Sequence, residues 1–170
     1  MTIWSERTLE ERNLLNPAFG SVIVWHLAKG YKHEAISSGE TINMPMILTF
    51  VGLSLALRGK TRNSLPTTIT SSLATWINQN PLLRSAVAKG VGVLRPYVRE
   101  SLIFGANHAL LTFDAVSVDG ATAKTRQINK YLRTSSDEVR ECAKKAQFIG
   151  RWLYRNGDPK TVMAMLGVIA

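Results

Sequence analysis

The sequence of 170 residues has one cysteine, Cys142, and only 12 acidic residues against 21 basic ones. A single cysteine excludes an internal disulfide and favours a reducing compartment. The longest apolar stretch, from Met44 to Leu57, is interrupted by Pro45 and Gly52 and is shorter than the roughly 20 residues of a membrane span. No charged leader precedes an apolar segment at the N-terminus. We therefore expect a cytoplasmic protein that does not associate with a membrane.

The sequence also lacks catalytic and cofactor motifs. Gly59-Lys60-Thr61 resembles the end of a phosphate-binding loop, but Ser54 stands where the full pattern needs glycine. Ser101, His108 and Asp114 could form a hydrolase trio, yet no Gly-x-Ser-x-Gly elbow supports it. Neither a metal-ligand cluster nor paired carboxylates at suitable spacing are present. We expect no enzyme activity, no cofactor, no metal and no small-molecule substrate. A small hydrolase that uses these three residues is an alternative hypothesis.

Basic residues concentrate where acidic ones are missing. No acidic residue lies between Glu40 and Glu100, or between Gly120 and Asp137. The isoelectric point is near 10.1, and uncompensated positive charge of this kind is typical of proteins that bind nucleic acid. The alternative is a solvated face that docks on an acidic protein. The predicted DNA-binding residues are Arg58, Lys60, Arg62, Lys124, Arg126 and Lys130.

Helical signals dominate the chain. Asn16-Pro17, Asn80-Pro81 and Asp158-Pro159 each pair a capping residue with a proline at the first helical position. Apolar residues recur at helical spacing, except near residues 111–118, where the period shortens toward two. We predict one mostly α domain over 1–170, with helices over 5–109, a β-hairpin over about 110–124, and helices over about 125–167.

Several local signals set finer expectations. Gly30 is expected to end one helix and Pro96 to begin another. Asp119-Gly120 is typical of a hairpin turn, and Ser135 with Glu138 has the spacing of a capping box. Short helices closed by a hairpin favour a winged-helix-like core, in which a basic wing lies along a nucleic-acid backbone.

Trp152 lies between Arg151 and Arg155 in the last long predicted helix. Tryptophan and arginine are enriched in interface hot spots. We therefore predict a partner interface at these three residues, with a core position for the tryptophan as the alternative.

Several segments together resemble the middle component of three-component ABC-ATPase systems, a group that includes the Lamassu anti-phage and anti-plasmid systems. These segments are ERNLLNPAF at 11–19, SLATW at 72–76, RESLIFG at 99–105, GRW at 150–152, GDPKTV at 157–162 and LGV at 166–168. The resemblance implies a non-enzymatic adaptor that links an SMC-like or Rad50-like ABC ATPase to an effector, typically a nuclease, near double-stranded DNA. The alternative function is a stand-alone winged-helix DNA-binding regulator, which would require a symmetric dimer and sequence preference.

Overall fold

The computed structural model describes residues 15–168. The helix predicted from Ser5 to about Leu15 lies almost wholly outside this range. Within it, helices dominate and three short strands form one small sheet, so the prediction of a mostly α fold with a hairpin is confirmed. None of the helices in this range is long and apolar enough to cross a bilayer.

The described helices are α1 Pro17–Ser37, α2 Ile47–Leu57, α3 Gly59–Asn63, α4 Leu73–Gln79, α5 Pro81–Asn107, α6 Thr125–Thr134, α7 Asp137–Arg155 and α8 Pro159–Leu166. The strands are β1 Met44–Pro45, β2 Leu111–Phe113 and β3 Ser117–Gly120, and a 3-10 turn spans Thr122–Lys124. The sheet is antiparallel with the order β1-β3-β2.

Helix α1 is the centre of the fold and packs mainly against α7 and α5. The prediction that it ends at Gly30 is wrong, because the helix continues to Ser37. Gly30 instead allows α7 to approach closely: a Cβ there would lie 2.1 Å from the carbonyl oxygen of Gln147. Gly150 does the same from α7, where a Cβ would lie 2.0 Å from the carbonyl oxygen of Leu27. The two glycines therefore set the distance between the central helices.

Replacing Gly150 with alanine is expected to lower the free energy of unfolding by about 3 kcal/mol, because the new methyl group overlaps the backbone of α1. The matched control is Gly92→Ala in α5, where a Cβ would have no atom within 4 Å. That change is expected to stabilise the helix by about 1 kcal/mol. Equilibrium urea unfolding measures both, and effects of the same sign would contradict the close crossing.

Helix α5 is continuous through Pro96, where the sequence predicts a new helix. Proline removes one backbone hydrogen bond and crowds the preceding turn. Here the ring is exposed, while Val91, Val98 and Leu102 on the inner face are buried before and after it. Tertiary packing along that face holds the helix together across the proline.

The hairpin turn lies at residues 114–116, not at Asp119-Gly120 as predicted. Asp114 Oδ1 accepts hydrogen bonds from the backbone of Val116 at 2.9 Å and of Ser117 at 2.8 Å. The Ser117 hydroxyl and these two N–H groups lower the pKa of Asp114. Gly120 lies within β3, where a Cβ would be 2.7 Å from the Trp25 ring. The glycine is therefore needed for packing on α1 and not for a turn.

Strand β3 is buried along its whole length between β1 and β2. The hairpin is thus part of the core, and the basic side chain of Lys124 follows it in the 3-10 turn. The structure does not confirm a winged-helix-like core.

Two of the three predicted proline-paired caps form, whereas Asn80 makes no side-chain capping hydrogen bond and donates instead to the carbonyl oxygen of Trp76 at 2.9 Å. Asn16 Oδ1 accepts a hydrogen bond from the backbone of Ala18 at 2.9 Å, and Asp158 accepts from the backbone of Lys160 and Thr161, as their pairing with proline predicts. Helix α7 begins after Ser136, whose hydroxyl caps it, and not after Ser135. Because Val139 and not a glutamate is then the third helical residue, the predicted capping box of Ser135 and Glu138 does not form.

Candidate polyanion interface

A groove of about 550 Å³ lies between α1 and the start of α6. All of its lining residues lie in the described range, and none of them is acidic. Besides His26 and Gln147, six polar residues form its walls: Lys29, Lys32, His33, Thr122, Thr125 and Asn129. A groove with ammonium groups and hydroxyls but no carboxylate in its lining is suited to an anionic ligand.

Two lysines one turn apart on α1 are held in place at this groove. Lys29 Nζ donates to the Thr122 hydroxyl at 2.8 Å and lies 5.7 Å from the centre of the Trp25 ring. Lys32 Nζ lies 2.6 Å from Asp119 Oδ2, while Lys29 Nζ is 4.0 Å from the other oxygen of that carboxylate. One carboxylate thus faces two ammonium groups, so the local charge stays positive.

His26 also lines the groove and is only 8% exposed. Its ring packs edge-on against Trp25, and among the described residues its buried Nε2 has no hydrogen-bond partner. Burial lowers the pKa of His26 to about 4. The imidazole is therefore neutral at pH 7 and offers an unused polar atom beside the lysines.

Helix α6 forms a positive rim on the groove. Arg126, Lys130 and Arg133 are exposed, and their spacing of four and three residues places them on one helical face. Asn129, which lines the groove, is three residues after Arg126 and four before Arg133, so the two arginines flank it. Ile128 on the opposite side is buried and fixes this orientation.

Residues 4–170 match the family described as "ABC-three component (ABC-3C) system Middle Component 3". The chain belongs to this family. The match confirms the broader part of the resemblance read from the sequence motifs, a middle component of a three-component ABC system. No curated protein and no solved structure matches the chain.

The first predicted basic cluster of this middle component is only partly at the surface. Arg58 and Lys60 are exposed, and Arg58 donates to the carbonyl oxygen of Ala86 at 2.9 Å. Arg62 does not lie at the surface, in contrast to the prediction. Its side chain is buried, donates to the carbonyl oxygen of Ala56 at 2.9 Å and pairs with Glu138 at 3.4 Å. Its guanidinium caps the end of α2, so it is not available to DNA.

The second predicted cluster is largely at the surface. Arg126 and Lys130 are exposed on α6, and Lys124 is half-buried in the turn before that helix. Helix α6 ends three residues before α7 begins, and Arg62 of α3 reaches Glu138 in the first turn of α7, so α7 adjoins the elements that carry both clusters.

The partner interface predicted at Arg151, Trp152 and Arg155 also differs from what the structure shows. Trp152 is fully buried, its indole N–H donates to the carbonyl oxygen of Ser71 at 2.6 Å, and its ring meets Trp76 edge-on. Arg151 and Arg155 are half-exposed, but both hold the carboxylate of Glu34. Trp152 is therefore a core residue, and the two arginines stabilise the fold.

The three residues of the hydrolase hypothesis have separate structural roles. Ser101 is buried and donates to the carbonyl oxygen of Tyr97. Exposed His108 stacks on Phe104 at the end of α5, and Asp114 holds the hairpin turn. Each side chain is explained by its local contacts.

Sequence reasoning missed the groove residues Lys29, Lys32 and Asn129. The signal was available, because the two lysines and Trp25 lie on one side of a helix when that helix continues past Gly30. Ending the helix at the glycine placed Lys32 in a loop and hid this spacing.

Proposed function

We propose that this middle component is a non-enzymatic cytoplasmic adaptor that links the ABC ATPase of its system to an effector nuclease, in a defence complex of the Lamassu kind. Membership in the family implies an ABC ATPase and other components as partners. The observation that carries the proposal is the family match over residues 4–170. The structural roles of Ser101, His108 and Asp114 support an adaptor without chemistry of its own.

Co-expression with the other two components tests this function. Affinity purification through a tag on the adaptor is expected to recover the ABC ATPase in a complex that survives gel filtration. Recovery of the adaptor only as a free chain, with both other components well expressed, would contradict the proposal.

We further propose that the adaptor touches the phosphate backbone of double-stranded DNA through the α6 rim and the groove beside it. Exposed Arg126, Lys130 and Arg133 supply the charge, and Lys29 and Lys32 extend it into the groove. Contacts of this kind bind phosphates without reading base sequence. Exposed Arg58 and Lys60 are a second contact for the same backbone.

The salt dependence of DNA binding tests that contact. Each phosphate contact contributes about 0.9 to the slope of log affinity against log salt. The Arg126→Glu, Lys130→Glu double variant should therefore lose about 1.8 of that slope, measured by fluorescence anisotropy with a labelled duplex.

A control variant separates this site from net charge. Lys89→Glu with Lys160→Glu changes the charge equally on exposed positions of α5 and α8. An equal loss of slope in both variants would contradict a site on α6. A strong preference for one duplex sequence in the same titrations would instead favour the stand-alone regulator.

A further inference from the structure

Helix α5 carries an apolar row on its outer face that the described chain does not cover. Leu82, Val93 and Ile103 are 84%, 69% and 61% exposed. At about 100° per residue, spacings of 11 and 10 residues place all three within an arc of about 80°. The opposite face is also apolar and is buried in the core, with Val87 and Val98 fully covered. A surface helix normally has one apolar stripe, and a second one marks an interaction site.

Gly92 lies beside this row and is not explained by packing within the chain. A Cβ at Gly92 would have no atom within 4 Å, whereas a Cβ at Gly90 on the inner face would lie 2.3 Å from the hydroxyl of Ser54. An exposed glycine inside a helix weakens the helix relative to alanine. Close approach of another backbone at Gly92 would explain the missing side chain, because glycine permits such contact.

The charged residues near this row are mostly basic. Lys89, Arg95 and Arg99 are exposed on α5, and Glu100 is the single acidic residue of this helix. Arg95 and Arg99 also line a small groove of about 200 Å³ together with Ile47, which is itself exposed. At 100° per residue, Lys89 falls within the arc of the row and Arg99 lies beside its Ile103 end. Arg95 lies farther round toward the groove, and Glu100 falls within the arc, so the row carries more basic than acidic side chains.

We propose that the outer face of α5 is the docking surface for an acidic amphipathic helix of a partner subunit in the ABC-3C complex. This inference rests on the proposed adaptor function and names the surface that a protein partner uses. Leu82 and Ile103 are 21 residues apart, so the row is about 32 Å long and matches a partner helix of about 20 residues. The partner's apolar side contacts the row, and its carboxylates pair with Lys89, Arg95 and Arg99.

The charge and the apolar row together select this occupant. A second copy of α5 would bring like charges together, which opposes association. Nucleic acid would meet the arginines but gain nothing from three exposed aliphatic side chains. An acidic amphipathic helix satisfies both features, and Gly92 provides room for its backbone.

The first test places charge on the row. In the complex purified with the ABC ATPase and the third component, Val93→Glu with Ile103→Glu is expected to reduce retention of one protein partner at least tenfold. The matched control is Val116→Glu, a similarly exposed valine at the hairpin turn, which should leave retention unchanged.

The second test uses Gly92→Gln, which separates docking from folding. Because glutamine favours the helix and has open space here, the free chain should unfold a few degrees higher. Partner retention should nevertheless fall at least tenfold. A residue important only for the fold would shift both quantities in the same direction.

Cross-linking identifies the occupant directly. A photoreactive side chain at Val93 in the assembled complex should form its cross-link within a helical, acidic segment of a partner, as located by mass spectrometry. Cross-links to DNA, to a second copy of this chain or to a basic segment would overturn the proposal. An intact complex with all α5 variants would overturn it as well, whereas failure of the unmodified chain to form any complex would overturn the adaptor function itself.

Discussion

Replacing Arg151 and Arg155 together with methionine is expected to lower the free energy of unfolding by about 3 to 5 kcal/mol at pH 7, because it leaves a buried carboxylate without a cation. Glu34 is 1% exposed and accepts hydrogen bonds from Arg151 Nε at 2.9 Å and from Arg155 Nε at 2.6 Å. Methionine keeps most of the apolar stem of each arginine. Equilibrium urea unfolding at pH 7 measures the loss.

The triple variant that adds Glu34→Met is the control for this prediction. It removes the carboxylate along with its partners, so most of the lost stability should return. Equal instability of the double and triple variants would show that Arg151 and Arg155 act through packing and not through the charge of Glu34.

The contribution of Glu34 to the pH dependence of stability should have the opposite sign in the double variant. Burial disfavours the charged form of Glu34, but the hydrogen bonds and charges of Arg151 and Arg155 outweigh it and lower the pKa. The resulting stability is present above the ordinary pKa and is lost as the pH falls through the lowered value. Without the arginines burial dominates, so acidification relieves the penalty instead.

His26 titrates in both proteins, so the quantity to follow with pH is the difference between their unfolding free energies. Because its pKa is lowered to about 4, stability falls as the pH drops from the ordinary value of 6.5 toward 4. This loss is common to both and cancels in the difference. A difference that does not change between pH 7 and pH 4 would contradict a buried ion pair at Glu34.

Replacing Trp152 with alanine is expected to cost about 3 to 5 kcal/mol of unfolding free energy, because it empties a fully buried site. The indole fills the space between α7 and α4, with its ring centre 5.8 Å from that of Trp76. Trp152→Phe keeps an aromatic ring but leaves the carbonyl oxygen of Ser71 without its donor, for a smaller loss of about 1 to 3 kcal/mol.

Urea unfolding and partner retention measured on the same variants check this second prediction. Both should decline together, since the tryptophan reaches partners only through the fold. Full stability of Trp152→Ala combined with loss of a partner would contradict the core position and return the residue to an interface.

The fold was predictable where short-range chemistry decides it. Asn16 and Asp158 cap helices that begin with proline, and Gly167 ends α8 with φ at 72°. These features depend on a few neighbouring residues and are legible in any sequence. The mostly α architecture follows from such signals together with apolar periodicity.

Long-range packing decided the features that the sequence did not show. Gly30 and Gly120 look like a helix stop and a turn, but both are glycines because another element approaches them. Pro96 sits inside a helix that buried side chains hold together. A glycine or a proline can therefore mark either a local break in an element or a position held by long-range packing, and the residue type alone does not distinguish the two.

The candidate site was predictable in its charge but not in its shape. Arg126 and Lys130 are exposed as expected, because an acid-free stretch on an amphipathic helix leaves cations at the surface. Burial of Arg62 and Trp152 was not predictable, since residue type alone does not reveal which carbonyl groups lie within reach. The groove needed α1 to be continuous before its lysines could be placed.

Effector recovery with the ABC ATPase, in the presence and absence of this chain, tests the adaptor function most directly. All three components are co-expressed with a tag on the ATPase, and a parallel preparation omits the middle component. The effector should be recovered with the ATPase only when the middle component is present. Equal recovery of the effector in both preparations would contradict the bridging role of this chain.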